Sequence, residues 1–272
     1  MIKIKKIPVI IIILSFILLS ITTPTLAQNL EVTANTEKNT YTLREIVKIY
    51  GNVTYNNQPV TQGFVSIQVE NPRSTILYRT IPVGTPPKTS NVKIISAYPC
   101  DTTGNPKNQF ERGDWAYFKV TVKNDEIVPQ EVLITVTAFD SDLIPLGTGA
   151  TKITIDPGKT ASYIPAIWIS KWASTGTCPV YFNVYTDYPK NKGYPYCPEE
   201  IANFTIIESK YEEPPSNPLP EQPIQNGSYQ TQFRLSPEPL PGNYTVHVCA
   251  WYQGWKSIAT TEFQVEDIEA PP

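Results

Sequence analysis

The chain has one histidine and one methionine among its 272 residues, and only 17% of them are charged. A lone histidine, His247, leaves no second imidazole for a metal site and little general-base chemistry. His-Glu-x-x-His, Gly-x-Ser-x-Gly and phosphate-loop patterns are all absent. No Cys-x-x-Cys pair occurs either, which argues against a structural zinc site. Lys and Arg total 22 against 25 Asp and Glu, and no basic stripe suits nucleic acid. Beyond the N-terminal segment no long apolar run remains to span a membrane. These absences lead us to expect no catalytic residue, no cofactor, no metal, and a chain that is not an enzyme.

What the chain does have is proline and tyrosine, 27 and 16 respectively, a mix that favours strands joined by loops. Lys3, Lys5 and Lys6 precede an apolar run from Ile7 to about Thr22, followed by the small residues of Thr25-Leu26-Ala27. This is the pattern of a signal peptide over residues 1–27, cleaved before Gln28. An uncleaved anchor is the alternative, because the run is just long enough to cross a bilayer. Either way the remainder is expected to be extracellular or at the cell surface. Four cysteines in an exported chain allow two disulfides. Asn52, Asn203, Asn226 and Asn243 head Asn-x-Ser/Thr sequons and are the candidate glycosylation sites.

The mature sequence alternates with period 2 almost throughout. Val47, Ile49, Val53 and Tyr55 share one parity; so do Val65, Ile67 and Val69, set against Ser66, Gln68 and Glu70. Such strands bury one face and wet the other. Between Asn91 and Ser209 the same pattern recurs in about seven short strands, among them Trp115 to Asn124 and Glu131 to Phe139. That is enough for a complete sandwich. Five prolines between Lys210 and Asn226 forbid a packed strand there. Three more strands follow, from Tyr229 to Val265.

Three strands cannot close a sandwich, and the four or five before Val83 have the same deficit. Together they make one. We therefore expect an all-β fold of two immunoglobulin-like β-sandwiches, the second inserted into the first. Residues 28–90 form the first part of the outer domain, 91–209 the inserted domain, 210–226 a proline-rich linker, 227–268 the second outer part and 269–272 a tail. The linker, at roughly 3.1 Å per residue, reaches about 50 Å, enough to return along a sandwich. Three tandem units with a truncated third are the alternative.

The outer halves resemble the second macroglobulin-type (MG2) domain of the macroglobulin family. The carrying residues are Tyr41-Thr42-Leu43-Arg44-Glu45-Ile46-Val47-Lys48-Ile49-Tyr50-Gly51-Asn52-Val53, then Phe233-Arg234-Leu235, Pro241-Gly242-Asn243-Tyr244-Thr245-Val246 and Glu262-Phe263-Gln264-Val265. Arg44 departs from the glycine usual at its position. The middle is similar to CARDB-like archaeal secreted modules, in Tyr117-Phe118-Lys119-Val120-Thr121-Val122-Lys123-Asn124, Ile155-Asp156-Pro157-Gly158 and Thr186-Asp187-Tyr188-Pro189. The resemblance implies adhesion, assembly or spacer roles in envelope proteins and carries no catalytic residue over.

The remaining chemistry is sparse. His247 reads as a strand histidine on the less buried face. Asp140, Asp142 and Asp187 sit among turn residues, where solvation is the better reading than calcium. If the inserted domain's first strand lies parallel beside its last, Cys100 and Cys178 fall at one pole and are the preferred disulfide; it would stabilise the module by about 2–4 kcal/mol. Trp251 and Trp255 flank a hairpin-like turn and are the candidate ligand-binding residues, with core packing as the bland reading. The expected function is a structural or adhesion module contacting cell-envelope or surface proteins. The alternative is a glycan-binding module using exposed Trp and Tyr.

Overall fold

A computed structural model describes residues 29–86, 91–208 and 224–266. The expected signal peptide, most of the proline-rich linker and the tail lie outside the described residues. In chain order the outer domain begins with β1 (Leu30–Val32), β2 (Asn35–Thr36), β3 (Thr40–Tyr41), β4 (Ile46–Tyr55), β5 (Gln58–Pro59), β6 (Gln62–Glu70) and β7 (Thr75–Gly84). Then come β8 (Val92–Cys100), β9 (Gln109–Glu111), β10 (Trp115–Asn124), β11 (Gln130–Phe139), β12 (Pro145–Ile155), β13 (Thr160–Tyr163), β14 (Ala166–Trp168), β15 (Gly176–Tyr185) and β16 (Glu200–Ile207). The chain returns with β17 (Ser228–Arg234), β18 (Gly242–Tyr252) and β19 (Trp255–Val265). Among the described residues the only helical piece is one 3₁₀ turn, Pro189–Asn191.

The fold is all-β, built of sheets packed face to face. In one pair of sheets, β4 binds β1, β2, β5 and β17, while the opposing sheet runs β3-β19-β18-β6-β7. Both sheets join the two ends of the chain. β17 pairs with β4 from Ser228↔Asn52 to Arg234↔Ile46, and β18 pairs with β6 from Thr245↔Glu70 to Trp251↔Phe64. One core contains Val47, Ile49, Val65, Ile67 and Val69 from the first stretch with Phe233, Val246, Val248 and Phe263 from the last. Residues 91–208 form the second pair of sheets. There β10 binds β8, β13 and β14, opposite a sheet ordered β12-β11-β15-β16-β9. Its separate core holds Phe110, Phe118, Phe182 and Phe204 among Val and Ile.

Several local expectations change. The stretch from Ala161 to Ile169 breaks into β13 and β14 at Ile164-Pro165, because proline has no N–H to give a ladder. The first strand, β8, does not lie parallel to the last. It pairs antiparallel with β10, and the short β9 takes the parallel place beside β16. Arg44, where the resembled pattern has glycine, sits at φ 61, a left-handed conformation that explains the usual preference.

The largest departure concerns faces expected to be wet. β6 and β11 are buried on both faces, and Ser66, Gln68, Thr135 and Thr137 are 0–1% exposed. The cause is a seam between the two sandwiches. β7 is the edge of its sheet, and the inserted domain covers that edge. Tyr78 N donates to Thr137 Oγ1 (3.0 Å), which donates back to Tyr78 O (3.3 Å). Thr80 N donates to Glu199 Oε2 (3.0 Å), and Thr148 Oγ1 donates to Thr75 O (3.0 Å). Side chains thus occupy backbone groups that would otherwise invite another strand.

Arg79 and Glu199 form the centre of the seam. Arg79 Nε reaches both carboxylate oxygens at 3.0 and 3.1 Å, and Nη2 lies 3.0 Å from Oε1. The guanidinium lies 3.7 Å from the centre of the Tyr181 ring. Tyr78, Leu133 and Tyr185 pack beside this pair as a small apolar cluster. On the flank, the turn after β15 crosses β6. Ser66 Oγ donates to Gly193 O (2.7 Å), Lys190 N donates to Gln68 Oε1 (3.3 Å), and Lys190 Nζ meets Glu70 at 2.8 Å. Gly193 is required there, because a Cβ would lie 1.7 Å from Asp187 O.

A pair this buried is costly to break from one side. Glu199→Ala leaves Arg79 buried without its carboxylate and is expected to cost about 3–5 kcal/mol in urea denaturation. The double variant Arg79→Met/Glu199→Leu should cost clearly less, since it leaves no unpaired charge.

Candidate functional site

His247 lies on β18 directly across from Gln68 and Thr260. Its Nε2 is 3.2 Å from Glu70 Oε2 and its Nδ1 is 3.5 Å from Thr260 Oγ1. Hydroxyl, imidazole and carboxylate therefore stand in a row, an arrangement the single histidine had not suggested. The row spans three neighbouring strands, β19, β18 and β6, and Glu70 is shared with Lys190 of the inserted domain. Burial opposes ionisation of Glu70, but Lys190 and His247 together hold its carboxyl below the ordinary range. Its evident work is to tie the two sandwiches together.

Asp140 is not a solvated turn residue. It is 0% exposed, and its carboxylate accepts from the backbone N–H groups of Asp142 (3.0 Å), Ile144 (2.9 Å) and Ser174 (2.9 Å). Burial still pushes its carboxyl above the usual carboxylate range. Asp187 is bound to Lys152 at 2.7 Å. Among the described residues no group of three or more His, Cys, Asp or Glu side chains is placed to hold a metal ion.

The expected Cys100–Cys178 disulfide is corrected: Cys100, Cys178, Cys197 and Cys249 are all free and buried. Cys178 points into the inserted domain's core. Cys100 ends β8 opposite the outward-facing Tyr117, beneath the turn that brings Pro106 back to it. The two thiols lie on different sides of a sheet, so the pairing fails with the parallel-strand premise behind it. Burial pushes Cys178 up to about 12 and Cys197 and Cys249 up to about 11.

Of the two tryptophans expected to bind ligand, Trp251 is half-buried in the seam. It stacks on Tyr194 at 5.5 Å and 8°, and Lys256 lies 4.4 Å from the centre of the same Tyr194 ring. Trp255 is 43% exposed at the tip of the β18–β19 hairpin. The tryptophans that stand together in solvent are two others. Trp115 and Trp168 are direct cross-strand partners on β10 and β14, 46% and 40% exposed, with ring centres 5.3 Å apart at 66°. The alternation of β10 put Trp115 on the outward parity, but its partner was hidden by the unrecognised break at Pro165. Asn52, Asn203, Asn226 and Asn243 are all exposed.

One shallow pocket of about 150 Å³ lies where the two sandwiches meet, lined by Trp172, Phe233, Arg234, Glu238, Pro239 and Tyr244 among others. Arg234 is already engaged there. It donates to Asp142 O (3.3 Å) and Arg44 O (3.0 Å).

The thiols give a measurable prediction. Folding holds them protonated, so their contribution to stability is complete below about pH 8.5, the ordinary thiol value, and is lost as pH rises toward 11–12. A thiol reagent at pH 7.5 should therefore label the native protein slowly and all four cysteines after denaturation. The urea midpoint should fall between pH 8 and pH 10.

No family model matches the chain, and no curated protein does. Among solved structures it is similar to the C-terminal domain of wzt, at a TM-score of 0.37 and 11% identity over 44% of this chain and 76% of that one. It is also similar to a β-glucuronidase from Bacteroides uniformis (TM-score 0.34, 9% identity, 60% of this chain, 26% of that one). A third is a β-glucosidase from Listeria innocua (TM-score 0.29, 12% identity, 42% of this chain, 15% of that one). At these scores and identities the likenesses say nothing about ligand or activity.

Proposed function

We propose that this chain is an exported, non-catalytic contact module of the cell envelope, a body of two joined sandwiches that meets other surface proteins. The observation that carries this reading is the seam. The buried Arg79–Glu199 pair, the Thr137 and Thr148 hydrogen bonds and the Gly193 turn all serve to hold one sandwich against the other. A body of this kind suits spacing and adhesion. The resemblance of the outer halves to MG2 domains and of the middle to CARDB-like modules supports the same role. So do the targeting pattern at the N-terminus and the four exposed sequon asparagines.

Crosslinking mass spectrometry on intact cells tests it. The expected outcome is crosslinks to envelope or surface proteins, a mature N-terminus at Gln28, and no turnover of a panel of glycoside and peptide substrates. Turnover abolished by a point substitution, or a chain found only in the cytoplasm, sinks the reading.

A further inference from the structure

The sheet ordered β3-β19-β18-β6-β7 has two edges, and the seam covers only one of them, β7. At the other edge the short β3 pairs with β19 only at Gln264 and Val265. The rest of β19, from Trp255 to Phe263, is bonded on one side alone, to β18. The hairpin closes at Tyr252↔Trp255 around the two-residue turn Gln253-Gly254, so odd residues of β19 exchange backbone bonds with β18 and even residues point theirs away. Gln264 N, donating to Asn39 O at 2.8 Å, and Glu266 N, donating to Tyr41 O at 3.1 Å, follow that parity. The N–H and C=O groups of Lys256, Ile258, Thr260 and Glu262 face outward in the same way, and among the described residues nothing meets them.

This edge carries little of what usually blunts one. It has no proline, and its pairing with β18 runs without a bulge from Gly242↔Val265 to Tyr252↔Trp255. Its two charges are one of each sign. Lys256 and Glu262 are both exposed and make no ion pair among the described residues; Lys256 Nζ lies 4.4 Å from the centre of the Tyr194 ring. Between them the chain reads Ser257-Ile258-Ala259-Thr260-Thr261. Ser257, Ala259 and Thr261 share the parity of the buried Phe263 and are small. An added strand of the same sequence therefore brings only small side chains over β1 and β2, which pass near β19 in the opposing sheet. The seam stands on the far edge, three strand steps of roughly 4.8 Å away.

We propose that this edge pairs with the same edge of a second copy of the chain, β19 antiparallel to β19, about a two-fold axis through Ala259. Antiparallel self-pairing is isologous, so each contact occurs twice. Centred on Ala259, it sets Lys256 opposite Glu262 of the second copy, Ser257 opposite Thr261 and Ile258 opposite Thr260. The even residues, whose backbone groups are free, fall opposite one another and exchange their hydrogen bonds. The same register brings each unpaired charge to its opposite. A shift of two residues keeps the hydrogen-bonding parity but sets both charges opposite uncharged residues. Two sandwich bodies are thereby joined through one continuous sheet, a step beyond the contact-module reading.

Sedimentation equilibrium of the purified exported chain over a concentration series tests the pairing. A reversible monomer–dimer equilibrium is expected. Glu262→Lys sets like charges opposite each other twice and should weaken the dimer about tenfold; adding Lys256→Glu to it should restore the dimer. Thr260→Pro removes an outward N–H that β18 does not use and should abolish the dimer. On mild oxidation Ala259→Cys should give a disulfide-linked dimer, since two copies of that residue face each other at the axis, whereas Ser257→Cys should not. An unaltered thermal midpoint confirms folding of each variant, and the charge exchange decides the matter if Thr260→Pro does not fold. The proposal is overturned by a monomer at every concentration, by a dimer that survives Thr260→Pro, by a Glu262→Lys defect that Lys256→Glu does not repair, or by equal crosslinking at positions 257 and 259. None of these outcomes depends on the cellular partners of the chain, so each overturns self-pairing alone.

Discussion

The antiparallel ladder between β4 and β17 is the constraint from which the architecture follows. It places residues near Asn52 against residues near Ser228, with the whole of the second sandwich in between. Neither end of the chain has enough strands to bury its own apolar face. The shared core of Val47, Ile49, Phe233 and Val246 exists only when both are present. Closing so long a loop carries an entropic cost that grows slowly with length, and a pre-folded insert shortens the effective loop. The compact inserted domain, with its own separate core, suits that role.

Insertion also gives the seam its character. A sheet ending at β7 presents unpaired N–H and C=O groups, and the inserted domain meets them with Thr137, Thr148 and Glu199. A mostly polar interface would ordinarily permit sliding between domains. Here a bidentate Arg79–Glu199 pair and an apolar cluster around Tyr78 oppose it. Buried charge of this kind is weak as a source of stability but strict about geometry. The polar groups that might have suggested chemistry (Glu70, His247, Asp140, Ser66) are engaged in holding elements together.

This leaves function to surfaces. The exposed aromatic pair Trp115–Trp168 stands on the sheet that takes no part in the seam, whereas Trp251 is taken up by Tyr194. The division is a physical one. Faces of the β6–β7 and β11–β15 sheets are used to join the body, and the β10 sheet takes no part in that joint.

Period-2 alternation in β4, β6, β10 and β17 was legible because burial of one sheet face imposes it locally, residue by residue. The missing strand count at each end was legible too, since a core has a minimum size. What alternation cannot report is the destination of the second face. Ser66, Gln68 and Thr137 have the polarity of wet positions, yet they are buried, because hydrogen bonds across the seam take the place of water. Nor does it report strand order: β8 joined β10 instead of the last strand, and with that Cys100 and Cys178 parted. The linear sequence by itself determined which side chains alternate and how much apolar surface each segment needs to hide. Only the tertiary structure decided which elements hide it, because that choice depends on contacts between residues far apart along the chain.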